Sequence, residues 1–180
     1  MNVILTGMRG TGKSSLGRFL ADLLTFTFVD TDRLIEESAG QPIADIVADH
    51  GWAYFRTVER QVVTRVAVND RQVIATGGGT LVDAENARQL KASGVVVLLI
   101  CDIAILQQRI ATQGGRPSLT GQGSATMELA QVWETRRARY LEIADLLYDV
   151  SAESADCRHD LQCKALAIHR LLQHAGKVRQ

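Results

Sequence analysis

An excess of either charge is missing from this 180-residue chain, in which Lys plus Arg and Asp plus Glu number 20 each. Without a basic surplus there is no bulk electrostatic hold on nucleic acid or on anionic lipid, and aromatics at 5% are too sparse for a base-stacking surface. Long apolar runs are missing too. The longest purely aliphatic stretch, Val95 to Ile100, falls far short of the roughly 20 residues that span a bilayer and reads as a buried strand. Cysteine is scarce: Cys101, Cys157 and Cys163 are odd in number and form no CxxC, so neither a disulfide framework nor a zinc knuckle is indicated. His159 and Cys163 share a helix face at i, i+4, but two ligands without further clustering do not make a metal site. No basic leader or apolar signal core precedes the glycine-rich loop that follows Met1 to Leu5, so a cytoplasmic protein is the expectation.

What is present is an ordinary globular balance, 46% apolar and 22% charged, in a chain sized for one domain over residues 1–180. Short apolar runs alternate with segments of helical period, which is the mark of βαβ units. The expected class is α/β, a three-layer α/β/α arrangement around a five-stranded parallel sheet. Its strands are Val3 to Thr6, Thr27 to Val29, Val73 to Thr76, Val95 to Ile100 and Leu147 to Val150. Leu16, Leu20, Leu23 and Leu24 recur at helical spacing, as do Phe55, Val58, Val62 and Val66, and each set predicts one buried stripe. Gly40 and Pro42 mark the stop of a helix over Asp32 to Ala39 and a restart, while Asp83 and Asp102 stand at N-cap positions. Thr112 to Ser124 holds four glycines, Pro117 and Arg116 with little periodicity, and is expected to be a mobile loop. Helices are predicted beyond it over Thr126 to Ala144 and Ala155 to His174.

Gly7-Met8-Arg9-Gly10-Thr11-Gly12-Lys13-Ser14 fits GxxxxGK[ST], after a predicted strand and before a predicted helix, which is the context the motif needs. A chance match in this length is on the order of one in a hundred or lower before context is counted, so the loop identifies a nucleotide binder. Its glycines let backbone N–H groups wrap an anion while the helix dipole adds positive potential at the same point. Lys13 is placed to reach the β and γ phosphates, and the Ser14 hydroxyl to ligate Mg²⁺. GTPases, motor ATPases and small kinases all share such a loop. The DxxG and NKxD patterns of GTPases do not occur. A motor ATPase would carry an acidic residue at the end of an aliphatic strand, and Asp102 stands there, but it also opens a predicted helix, Ile103 to Ala111, where an N-cap Asp is common. The rival acidic site is Asp30-Thr31-Asp32, at the carboxyl edge of the sheet where ligands bind in such folds. One carboxylate there could hold Mg²⁺ through water and the other accept a hydrogen bond from a substrate hydroxyl, or the pair is a solvated turn with a cap.

Taken in order, the phosphate loop, Val29-Asp30-Thr31-Asp32, Gly51 with Phe55-Arg56 and Glu59, Gly77-Gly78-Gly79, Arg116-Pro117, and Arg136 with Tyr140 resemble the shikimate kinase family over some four-fifths of the chain. The resemblance implies a P-loop kinase fold with a mobile lid near 112–124. It implies transfer of the ATP γ-phosphoryl group to the 3-hydroxyl of shikimate, with Mg²⁺, in aromatic amino-acid biosynthesis. It also implies roles. Gly10, Thr11, Gly12, Lys13, Ser14 and Ser15 would bind ATP, with Arg109 stacked on adenine. Asp30 and Ser14 would serve the metal. Asp32 would contact the reacting hydroxyl. Arg56 and Arg136 would clamp the substrate carboxylate, with Glu59 orienting Arg56, and Gly78 and Gly79 would bring backbone close to the ring. Arg116 would be the lid arginine, and Lys13, Asp32 and Arg116 the catalytic set. ATP and shikimate are the expected partners, of a monomer, without nucleic acid or membrane.

Singly, these residues read otherwise: Arg56 with Glu59 as a surface ion pair worth a few tenths of a kcal/mol, Arg136, Arg137 and Arg139 as a solvated basic run, Gly77 to Gly79 as a turn. Two departures stand out. Trp52 occupies a position where Glu is usual, and Ser118 varies the lid. A gluconate-like acceptor, or a nucleotide-binding module that has lost catalysis, are the alternative readings.

Overall fold

A computed structural model of the chain describes residues 1–113, 125–152 and 156–178. Val3, Ile4 and Leu5 have no exposed surface, because a strand inside a parallel sheet is covered on both faces. Successive side chains there point to opposite layers. Val3 and Leu5 of β1 (Asn2–Gly7) pack with Leu16 and Leu20 of α1 (Lys13–Leu24) and Ala165, Ile168 and Leu172 of α7 (Cys157–His174). Ile4 joins Val63 and Val66 of α3 (Ile43–Ala67) and Leu90 of α4 (Ala84–Ser93) on the other face. β4 (Gly94–Ile100) repeats the alternation, with Val95, Val97 and Leu99 on the α1 and α7 side and Val96 opposite.

With β2 (Thr27–Asp30), β3 (Gln72–Ala75) and β5 (Leu146–Asp149), these strands form the expected five-stranded parallel sheet, in the order β2-β3-β1-β4-β5. β1 is central, so the loop after it opens at the middle of the carboxyl edge. The other helices are α2 (Thr31–Ala39), α5 (Ile103–Gln113) and α6 (Ala125–Ile143).

Several expectations shift. Leu23 is 44% exposed although Leu16 and Leu20 are buried. Gly17 and Ala21 are buried as well, which turns the contact face of α1 away from Leu23. A Cβ on Gly17 would come within 2.7 Å of the Phe28 ring, so the helix uses that missing side chain to lie on β2. α2 starts at Thr31, one residue early, because Asp30 is its cap and accepts from the N–H groups of Asp32 and Arg33. α3 is interrupted at Gly51 (φ 77°, ψ 171°), a conformation that glycine reaches without strain. α5 runs on to Gln113, so Thr112 and Gln113 are helical where a loop is expected, and 114–124, with Arg116, lie outside the described residues. Among the described residues no helix is long and apolar enough to cross a membrane.

Candidate active site

The phosphate loop reaches its form through its glycines. Gly10 and Gly12 sit at φ 86° and 81°, and Gly12 occupies the N-cap position of α1 without a side-chain cap. No acidic residue lies in the first turn. The N–H groups that open an α-helix have no intrahelical acceptors, so this end of α1 presents donors and positive potential to an anion. Thr11 is buried and its hydroxyl donates to the Met8 carbonyl at 2.8 Å, bracing the loop from inside. The Lys13 ammonium donates to the carbonyls of Gly7 and Met8, both at 2.9 Å, which holds it over the loop. Ser15 is exposed on the first turn of α1.

Asp30 ends β2 and divides its carboxylate. Oδ1 caps α2, and Oδ2 accepts from the Ser14 hydroxyl at 2.6 Å. This pair joins the loop to the rival acidic cluster with oxygen donors alone, which suits Mg²⁺, an ion that takes few protein ligands and keeps its waters. Among the described residues no three His, Cys, Asp or Glu side chains gather as an all-protein cage would require. Cys163 Sγ lies 3.5 Å from His159 Nε2 on α7, as the helical spacing predicts. Asp102 is a cap, accepting from the Ala104 N–H at 2.8 Å.

The turn Gly77 to Gly79 links the two halves. The Gly77 N–H donates to the buried Thr31 hydroxyl at 3.1 Å, and a Cβ on Gly77 would come 2.5 Å from Asp32 Oδ1, so Asp32 lies against this turn. A Cβ on Gly78 would sit 3.6 Å from the Gly7 carbonyl oxygen and 3.9 Å from Arg136 Nη1, between phosphate loop and arginine. On Gly79 it would be 2.9 Å from Arg56 Nη2. Arg56, Gly79, Val82, Asp83 and Arg136 line a cleft of about 260 Å³.

Each arginine is held. Arg56 donates to Glu59 Oε2 at 2.6 Å, and Glu59, 1% exposed, accepts with Oε1 from the Thr80 hydroxyl at 2.8 Å. The pair is therefore no surface ion pair: its carboxylate is buried and ties α3 to the turn. The Arg56 guanidinium also lies 5.6 Å from the Trp52 ring and 5.0 Å from that of Phe55. Trp52, where an acidic residue is usual, thus presents an aromatic face to this arginine. The basic run on α6 divides by helical phase. Arg136 is half-buried and donates to the Gly78 carbonyl at 3.0 Å, Arg139 pairs with Glu142 at the surface, and Arg137 is exposed. Tyr140, one turn on from Arg136, donates its hydroxyl to the same Gly78 carbonyl. Burial raises the Tyr140 pKa above its ordinary value, against the opposing pull of Arg136.

On the nucleotide side, Arg109 donates to the carbonyls of Gly10 (3.2 Å) and Val150 (3.0 Å), joining the phosphate loop to the end of β5. The parts that sequence reasoning missed are Thr31, Thr80 and the function of Tyr140. The resemblance paired Tyr140 with Arg136 but gave the tyrosine no role.

A family model described as shikimate kinase matches residues 9–167 of the chain. A shikimate kinase of Syntrophus aciditrophicus is 41% identical over 161 residues, covering 83% of each chain. The solved structure of shikimate kinase from Acinetobacter baumannii in complex with shikimate superposes with a TM-score of 0.86 at 30% identity, over 99% of this chain and 95% of that one. A gluconokinase from Sinorhizobium meliloti reaches a TM-score of only 0.50 at 18% identity, a likeness of fold alone.

Proposed function

This chain belongs to the shikimate kinase family, and from that premise we propose which of its residues carry the reaction. The protein is an ATP-dependent kinase that transfers the γ-phosphoryl group to the 3-hydroxyl of shikimate. The N-terminal donors of α1, with Gly10, Thr11, Gly12, Lys13, Ser14 and Ser15, bind the phosphates, and Arg109 forms the wall against which adenine stacks. Ser14 and Asp30 would hold Mg²⁺, which would offset the negative charge of the phosphates. Lys13 turns from its loop carbonyls to the phosphates. Asp32 contacts and orients the attacking hydroxyl, acting chiefly as a positioning group. Arg56 and Arg136 clamp the carboxylate of shikimate, a task suited to planar two-donor groups, over the backbone of Gly78 and Gly79. Arg116, outside the described residues, is assigned to a lid in the 112–124 region. Because phosphoryl transfer has a loose transition state, alignment and charge neutralisation supply the rate enhancement.

One observation carries this assignment: the Gly77 to Gly79 turn contacts Asp32, lies close to the phosphate loop and touches both arginines. Donor and acceptor would meet there. The site is assembled from one chain and both substrates are soluble metabolites, which supports a cytoplasmic monomer. ADP release from Mg-ATP with shikimate, with gluconate and with no acceptor tests the function. Stimulation by shikimate alone is expected; release indifferent to shikimate would overturn it.

A further inference from the structure

The cleft that holds Arg56 and Arg136 has a carboxylate in its wall, Asp83, which takes no part in the chemistry proposed above. Its two oxygens are spent differently. Oδ1 accepts from the N–H groups of Glu85 and Asn86, at 3.0 and 3.1 Å, and so caps α4. Oδ2 accepts from both Nε and Nη2 of Arg60, at 3.0 and 2.7 Å. Arg60 stands on α3 four residues after Arg56, one helical turn further along the same side.

Two neighbours on α3 therefore grip the same short stretch. Glu59 reaches Thr80 on the buried side, and Arg60 reaches Asp83 on the exposed side. The 3-10 turn Thr80–Val82 begins at the first attachment and ends one residue before the second, with Gly79 just before it under the Arg56 guanidinium. Both attachments hold this turn against α3, and with it Gly79 and Val82, which line the acceptor cleft together with Arg56. Arg60 is 54% exposed, and an ion pair so open to water contributes little to folding. The cap of α4 needs only the other oxygen. What is left for the contact with Arg60 is geometry. It also neutralises a carboxylate that would otherwise face the two arginines in competition with an anionic substrate. Arg60 and Asp83 favour each other's ionised forms: against the opposing effect of burial, Asp83 is held below its ordinary pKa by the Arg60 guanidinium and the α4 backbone N–H groups, and Asp83 in turn raises the Arg60 pKa.

We infer that Arg60 and Asp83 form a positioning clasp that sets the acceptor cleft for a small carboxylate, without touching the substrate's reacting atoms. The inference rests on the reading of Arg56 and Arg136 as the carboxylate clamp. Steady-state kinetics on Arg60→Ala, Asp83→Asn, the double variant and Arg56→Ala separate the two. Asparagine still caps a helix well, so Asp83→Asn keeps α4 while turning amide protons toward Arg60. Each single clasp variant is expected to raise the shikimate KM about 3–10-fold, with the ATP KM unchanged and kcat within about twofold. The double variant should be no worse than the worse single one, because both remove one contact. Arg60→Lys, which keeps the charge without the two-donor fork, should fall between wild type and Arg60→Ala. A wild-type shikimate KM in Asp83→Asn, additive effects in the double variant, or an equal rise in the ATP KM would each defeat the clasp. If Arg56→Ala raises the shikimate KM and the clasp variants do not, the clasp alone is wrong; if Arg56→Ala leaves it unchanged, the reading of the cleft itself falls.

Discussion

Replacing Glu59 by Gln is the most discriminating small change the acceptor half offers. The carboxylate is 1% exposed and accepts from Arg56 at 2.6 Å and from the Thr80 hydroxyl at 2.8 Å. Alanine would be a blunt test, since removing one partner of a buried ion pair costs about 3–5 kcal/mol and the fold itself would suffer. Glutamine keeps the shape. Its amide oxygen can face Arg56 and its NH₂ group Thr80, whose hydroxyl can turn to accept, so no buried group is orphaned. What disappears is the charge. A hydrogen bond to a charged group is worth about 1.5–3 kcal/mol and a neutral one about 1, so the loss is about 1–2 kcal/mol. Part of that loss frees the Arg56 side chain, whose rotamer entropy is about 2 kcal/mol when fully released. If shikimate must re-order half of it, the binding penalty is about 1 kcal/mol, or roughly fivefold in KM.

The assay is coupled ADP release with shikimate and ATP titrated separately, beside thermal denaturation. Glu59→Gln should raise the shikimate KM about fivefold, leave the ATP KM alone and lower Tm by about 2–8 °C. A lowered Tm with a wild-type shikimate KM would refute the reasoning. Glu59 would then support the core without positioning Arg56.

Other changes report on other parts of the site. Asp32→Asn should lower kcat on the order of 10²-fold or more while calorimetry still detects ATP binding; near-normal turnover would remove Asp32 from the catalytic set. Gly79→Ala brings a methyl to 2.9 Å from Arg56 Nη2 on a backbone that any residue adopts (φ −108°), so the guanidinium must move. A shikimate KM at least about threefold higher is expected, with an unchanged value showing that Arg56 is not where the carboxylate binds. Tyr140→Phe should cost about 1 kcal/mol in urea denaturation. The pKa of Tyr140 is raised in the folded state by burial, so its contribution is whole below the unfolded value near 10 and is lost as pH rises from there through the folded value. The wild type should therefore lose stability over that alkaline window by more than Tyr140→Phe does, and equal slopes in denaturation series from pH 8 to 11 would contradict the burial argument.

The parts of the molecule that were legible in sequence are those specified locally. The first four strands announced themselves as aliphatic or β-branched runs, and the phosphate loop by glycines whose spacing has one physical use. Features built from residues far apart in the chain were not legible. Nothing near Glu59 says that its carboxylate meets Thr80, 21 residues on, or that Arg60 meets Asp83, 23 residues on. Charge alone could not separate Arg136 from Arg137 and Arg139; helical phase does, because Arg136 and Tyr140 share the face that meets the Gly78 carbonyl.

The acidic residues show a different kind of limit. Asp30 and Asp102 both follow strands, and in sequence each posed a choice between helix cap and metal ligand. For Asp102 the choice is real, and the structure gives it a cap, to the Ala104 N–H. For Asp30 the choice dissolves. One oxygen caps α2 while the other meets the Ser14 hydroxyl, so the cap fixes the carboxylate's direction and the remaining oxygen is aimed at the phosphate loop. Asp83 uses the same division, with Arg60 in the place of Ser14. At Asp30 the cap is thus not a competitor of the functional reading. Its capping oxygen supplies the rigidity that a ligand-directed carboxylate needs, which is why propensity alone could not separate the two roles at Asp30.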